Sequence, residues 1–448
     1  MSAPVIVIFG ITGDLSKRKL LPALYHLLSQ DVLSEDTKII GVSRHALDTD
    51  ELLNSVELCV LEKDNICDPV GIGRLRASLQ SQQIEPTNPE HYQQLKATLD
   101  SFDTNGERER LLYMSIPPTA YAPIIEQLAS AGLNDNRSRL LLEKPFGYDT
   151  GSATELIDIV TKHFDESQVY RIDHYLAKET AQNLLSFRLH NGIFTPLWNS
   201  EHIESIHVCA TEKIGIEGRA AFYEQTGALR DLVQSHLLQL LAITMMDLPI
   251  DMSSDAVHLT KQYFMQQLQP ADPSVAIRGQ YEGYKDEVNN PETVVETYTK
   301  LHLKHTAERW QGTDIVLETG KGLAEKATTI TITFRLRGEH RQNNLTFRIQ
   351  PDEGIGLGLL VKEPGFEMNM RQEMLDFQYT TAFSGKQHID AYERVLMDAI
   401  HADQTLFASG DEVVATWRVL QPLLDVWTDS AEGLLSYPLG ANPNNFKA

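Results

Sequence analysis

The chain has 448 residues, ordinary hydrophobic (42%) and charged (23%) fractions, and a formal net charge of −23. This length predicts two domains, and the acidity excludes nucleic acid as an expected partner, because phosphate backbones require a basic face. No apolar run approaches the roughly 20 residues that cross a bilayer, no basic leader precedes Val5, and Cys59, Cys67 and Cys209 form neither a metal-ligand spacing nor a disulfide framework; a cytoplasmic protein that avoids membranes is expected.

The first third alternates apolar runs with helical patterns. Val5–Phe9 reads as a strand, followed by a helix from about Lys19 and a second strand at Ile39–Val42. Further strands are expected at Leu111–Ser115 and Leu140–Leu142, a rhythm that implies a mostly parallel sheet with crossover helices. Where the first strand ends, Gly10-Ile-Thr-Gly-Asp-Leu15 offers a tight turn whose backbone N–H groups can approach a pyrophosphate at a helix N-terminus. Its spacing departs from G-x-G-x-x-G, and a plain glycine turn with Asp14 as a helix cap is the competing reading. After the second strand stands Gly41-Val-Ser-Arg-His45. An acid there would bond a ribose 2′-hydroxyl, whereas Arg44 suits a 2′-phosphate and so points to NADP. Glu143-Lys-Pro-Phe-Gly147 follows a buried strand, where ligands of open α/β sheets bind. Pro145 is a candidate cis residue that would hold Lys144 toward the crevice.

The character changes near residue 170. Arg171-Ile-Asp-His-Tyr-Leu-Ala-Lys-Glu179 packs cations, carboxylates, an imidazole and a phenol into nine residues, a composition suited to a phosphorylated, hydroxyl-rich ligand. An amphipathic helix from His174 to Leu189 would place His174 and Lys178 on one face, with Asp173 projecting about 100° away. A strand near Ile203–Ala210 and a helix from Leu229 to Met246 come next. Period-two segments follow at Val294–Lys304, Ile315–Thr319, Thr328–Arg337 and Asn344–Gln350, then helices near Ala391–His401 and Glu412–Trp427. Together they predict an α+β domain with a large, mainly antiparallel sheet. The expected division is a Rossmann-like dinucleotide-binding domain over residues 1–170 and an α+β substrate-binding and oligomerisation domain over 171–448. His236 lies among leucines in the apolar helix, where a satisfied core histidine is the commoner case; a carboxylate on one ring nitrogen would leave the other free to take a proton.

Taken together, these motifs resemble those of the glucose-6-phosphate dehydrogenase family. The resemblance runs through the Gly10–Leu24 turn and helix, EKPFG at Glu143–Gly147 and the nine-residue signature. It continues with PLWN at Pro196–Asn199, GIEGR at Gly215–Arg219, the Arg230–Gln239 helix and RGQY at Arg278–Tyr281. It implies oxidation of glucose 6-phosphate to 6-phosphoglucono-lactone with NADP, NAD serving as a secondary coenzyme, at the oxidative entry to the pentose phosphate pathway. His236 then matches the general base and Asp173 its carboxylate partner. His174, Tyr175 and Lys178 match the phosphate site, with Lys326 a further cation. Lys144, Glu212, Asp231 and Lys321 match sugar contacts. Gly10, Thr12, Gly13, Asp14, Leu15 and Arg44, again with Lys144, match the coenzyme site. No metal is implied, and a homodimer or homotetramer assembled through the sheet domain is. Ala177 replaces the family's usual Gly, and Ser235 the Asn before the base. Two alternatives stay open: a dehydrogenase of a related or unphosphorylated sugar, and a non-catalytic nucleotide-binding paralogue.

Overall fold

The computed structural model describes residues 3–64, 66–103, 105–335, 342–384 and 389–446. The chain divides into two compact units, the first comprising Met1–Gly147, Gly151–Ala177 and His388–Gly410, the second Tyr148–Thr150, Lys178–Gln387 and Asp411–Ala448.

In the first unit, β1 (Val5–Phe9), β2 (Lys38–Ser43), β3 (Leu79–Gln83), β4 (Arg110–Met114), β5 (Ser138–Leu142) and β6 (Val169–Ile172) form a parallel sheet in the order β6-β5-β4-β1-β2-β3. Every residue of β1 and β4 is buried, which is why these strands read as unbroken apolar runs. β3, Leu-Gln-Ser-Gln-Gln, carries no such run and escaped the sequence reading. The sheet gains one more strand when the chain returns. Phe407–Ala408 pairs antiparallel with β6, and the preceding helix Ala391–Ile400 ends with its Ala399 and Ile400 carbonyls accepting from Arg139 at 2.5 and 2.6 Å. A cut at residue 170 makes no provision for this return, because the helix at 391–400 shows only its own apolar stripe and not which sheet it covers.

The second unit is built on a nine-stranded sheet. Its strands are β7 (Ile203–Thr211), β8 (Ile277–Tyr281), β9 (Tyr298–Leu303), β10 (Asp314–Gly320), β11 (Ala327–Phe334), β12 (Asn344–Gln350), β13 (Gly354–Lys362) and β14 (Met370–Gln378), with a last strand at Leu434–Tyr437. The order is β14-β13-β12-β11-β7-β10-β9-β8 and then the last strand. The pairs β7·β10 and β8 with the last strand are parallel; the others are antiparallel. Alternation fixes the faces: Ile206, Val208 and Ala210 on β7 and Ile330 and Ile332 on β11 are buried; the apolar helix Leu238–Met245 is buried throughout. The expected end of β11 at Arg337 lies outside the described residues.

One helix begins later than its apolar pattern suggests. Residues 174–177 form a turn, and the helix spans Glu179–His190 with Lys178 as an extended N-cap (φ −73°, ψ 141°). The Asp173 side chain accepts from the Tyr175 N–H at 2.9 Å, and the Leu176 N–H bonds the Asp173 carbonyl, so an Asx-type turn wins over the helix. His174 and Lys178 therefore share no helical face.

Candidate active site

In the first unit the candidate residues stand at the C-terminal ends of parallel strands, the binding edge of open α/β sheets. Gly10 leaves β1 with φ +80°, and a Cβ there would meet the Ser115 carbonyl oxygen at 2.2 Å. Only glycine permits that approach. The Gly10 and Ile11 N–H groups bond the Val42 carbonyl, Gly13 bonds back to Gly10, and the Ser16 hydroxyl ties the Gly10 carbonyl to Ser115. Helix starts at Asp14. Around this turn lies a cleft of about 480 Å³ whose lining includes Gly10, Thr12, Gly13, Arg44, Ser115 and Tyr92. Asp14 and Leu15 do not line it: Asp14 is exposed, and Leu15 packs against the core. Arg44 is exposed at the rim and makes no ion pair with any described residue.

Lys144 follows β5 through a cis peptide to Pro145. Its neighbour Glu143 is buried, accepts a 2.5 Å hydrogen bond from the Tyr113 hydroxyl, and is flanked by Tyr121, whose hydroxyl donates to the Glu143 carbonyl. Burial pushes the Glu143 carboxyl up to about 7; the Tyr113 bond and the Lys144 charge oppose the rise, and Asp173 adds to it. The motif draws attention to Lys144, whereas the setting of Glu143 comes from its burial against Tyr113 and Tyr121. Asp173, His174 and Tyr175 follow β6. Asp173 is buried and held by its own turn, and the His174 ring lies between Tyr175 and Tyr392, with centroids 5.1 and 6.4 Å away. Arg171 is structural: fully buried, it pairs with Glu166 at 2.5 Å. Ala177 belongs to the core.

In the second unit the remaining candidates gather at one end of the sheet. Glu212 continues from β7 and Lys321 from β10, and these parallel neighbours bring the two side chains into an ion pair. Lys321 is buried, its Nζ 5.4 Å from the centre of the Tyr223 ring. Lys178 donates to the Gln350 side-chain oxygen, and Gln350 in turn donates to Thr328. Lys326 is exposed two residues before Thr328, so both lysines stand at the same end of β11 and β12. Asp231, Ser235 and His236 lie on a π-helical segment, Leu229–Leu237, a wide turn that recurs at functional sites. His236 is fully buried, and the Ser235 hydroxyl bonds the Asp231 carbonyl.

Glu296 fixes where this segment begins. Its backbone and side-chain oxygens accept from the Ala228 and Leu229 N–H groups at 3.0 and 2.9 Å. Gly227, at φ +60°, lies so close that a Cβ would sit 2.4 Å from a Glu296 oxygen. Glu296 owes this positioning role to its burial, which the sequence does not display.

Residues 7–183 match the model of the "Glucose-6-phosphate dehydrogenase, NAD binding domain" and residues 185–447 that of the C-terminal domain of the same family. The glucose-6-phosphate 1-dehydrogenase of Rhizobium meliloti (strain 1021) is 36% identical over 97% of this chain and 93% of that protein. That of Chlamydia pneumoniae is 37% identical over 98% and 92%. Among solved structures, a glucose-6-phosphate dehydrogenase in complex with glucose 6-phosphate superposes with a TM-score of 0.92 at 31% identity, covering 99% of this chain and 96% of that one. The Mycobacterium avium enzyme gives 0.88 at 32%, covering 98% and 94%. The first unit is thus a dinucleotide-binding unit, and the chain belongs to the glucose-6-phosphate dehydrogenase family.

Proposed function

We propose that the protein oxidises D-glucose 6-phosphate at C1 to 6-phosphoglucono-1,5-lactone, with hydride passing to NADP. The observation that carries this reading is the family match along nearly the whole chain. His236 removes the proton of the C1 hydroxyl as hydride leaves the same carbon, so the imidazole gains the proton and the coenzyme the electron pair. Asp173 orients that imidazole and stabilises its protonated form. His174, Tyr175, Lys178 and Lys326 hold the phosphate, a remote anchor whose binding energy serves orientation at C1. Lys144, Glu212, Asp231 and Lys321 contact the sugar hydroxyls.

The turn at Gly10 fits a dinucleotide. The absence of a Cβ at Gly10 and Gly13 and the N–H groups at the helix start suit a pyrophosphate, and the exposed Arg44 suits a 2′-phosphate. When bound, the coenzyme supplies the hydride acceptor; the protein orients it and excludes water. With one arginine marking the preference, NAD is accepted more weakly. Initial rates with glucose 6-phosphate and with glucose test the substrate assignment: kcat/KM should be far higher for the phosphorylated sugar, and comparable values would remove the phosphate site.

We infer further that the chain forms a homodimer or homotetramer through the large sheet. Ile355, Leu357 and Leu359 on β13 share a face with Leu375 and Phe377 on β14, and Leu375 is 62% exposed, an apolar stripe that a second copy would cover. Among the described residues no helix is long and apolar enough to cross a membrane, and three free thiols suit the reducing cytoplasm.

A further inference from the structure

On the other face of the large sheet from Ile206, Val208 and Ala210 lies a cluster that the proposed reaction does not use. His207 and Cys209 stand two residues apart on β7, and Glu318 on β10 is the register partner of Cys209. Period-two geometry turns all three toward the same side. One imidazole nitrogen, the Cys209 sulfur and one Glu318 carboxylate oxygen lie within 4.8 Å of one another. The His207 Nε2 is 2.8 Å from Glu318 Oε2. The other Glu318 oxygen is fixed by the Tyr298 hydroxyl at 2.7 Å, as a hydrogen-bond donor behind a carboxylate ligand orients it.

We propose that His207, Cys209 and Glu318 form a binding site for a borderline-soft divalent cation, with zinc as the occupant that this donor set fits. Nitrogen, sulfur and oxygen donors in one cluster exclude magnesium and calcium, which take oxygen. Three protein ligands leave a fourth tetrahedral position for water. Donors around a tetrahedral zinc stand roughly 3.3–3.8 Å apart, so side-chain rotations that open the His207–Glu318 contact and draw Cys209 inward complete the site. The thiol ligates as thiolate, releasing its proton to solvent as the metal–sulfur bond forms. Lys300 is the competing cation, its Nζ 3.9 Å from Glu318 Oε2, and it must yield when the metal enters. Occupancy would clamp β7 to β10, the two strands whose ends carry Glu212 and Lys321.

Cobalt(II) titration of the chelator-stripped full-length protein tests this, because a thiolate ligand gives cobalt a charge-transfer band that nitrogen and oxygen ligands do not. One cobalt per chain should produce that band, and zinc should abolish it by displacement. C209S should eliminate the band. H207Q removes a ligand and so should weaken binding at least as much as loss of a ligand's hydrogen-bond partner does, roughly tenfold or more, and K300M should tighten it. Unchanged thermal midpoints of the metal-free variants establish that their folds are intact. Absence of the band in the wild-type protein, or its persistence in C209S, where Cys59 and Cys67 would be the source, would overturn the assignment.

Discussion

Next to Lys144, the Glu143 carboxyl keeps its proton to about 7 because burial outweighs the Tyr113 hydrogen bond and the Lys144 charge. In the unfolded chain the same group ionises near 4.5. Between those values the folded state binds the extra proton, so stability falls as pH rises through this window, by on the order of 3 kcal/mol. Glu143→Gln should remove that slope: denaturant midpoints of wild type and variant should diverge between pH 5 and 8, the wild type losing more. Parallel curves would show that Glu143 is ionised throughout. Arg44 presents the opposite case, an exposed guanidinium whose partner is expected to be a ligand. Arg44→Ala should weaken NADP far more than NAD in a binding titration, and equal losses would mean that Arg44 does not read the 2′-phosphate. The place of Arg44, just past the end of β2, was legible from sequence because an offset from a strand end can be counted along the chain. Glu143 and Glu296 were not, since burial, which gives each its role, belongs to the fold.

At the level of elements, apolar periodicity located strands whose burial is uniform or alternates, such as β1 and β10. It failed where a side chain competes with the backbone. The apolar pattern runs back from the helix at Glu179 to His174, but the Asp173 side chain bonds the Tyr175 N–H and holds the intervening residues in turns. His174 and Lys178, expected on one helical face, therefore stand on a turn and at a helix N-cap instead. Strands β13 and β14 escaped for another reason: glycines at 354, 356 and 358, the half-exposed apolar residues of β13 and the largely exposed β14 give no core pattern. Their apolar stripe bears on assembly. Leu375→Glu should shift the oligomer toward monomer in sedimentation, with the monomer's secondary structure kept; an unchanged mass would place the interface elsewhere.

For the whole molecule, the alternation of strand and helix in the first third and the strand-rich middle were enough to anticipate a Rossmann-like unit and a large sheet. The return of residues 388–410 to the first unit was invisible, because a helix's stripe does not name its partner. Oxidation of glucose 6-phosphate at C1 is tested most directly by absorbance at the reduced-nicotinamide band. Glucose 6-phosphate with NADP should give a steady rise, slower with NAD, and His236→Ala should reduce the rate by roughly 10²–10⁴-fold while NADP still binds. No rise with glucose 6-phosphate and either coenzyme, or an undiminished rise in His236→Ala, would contradict it.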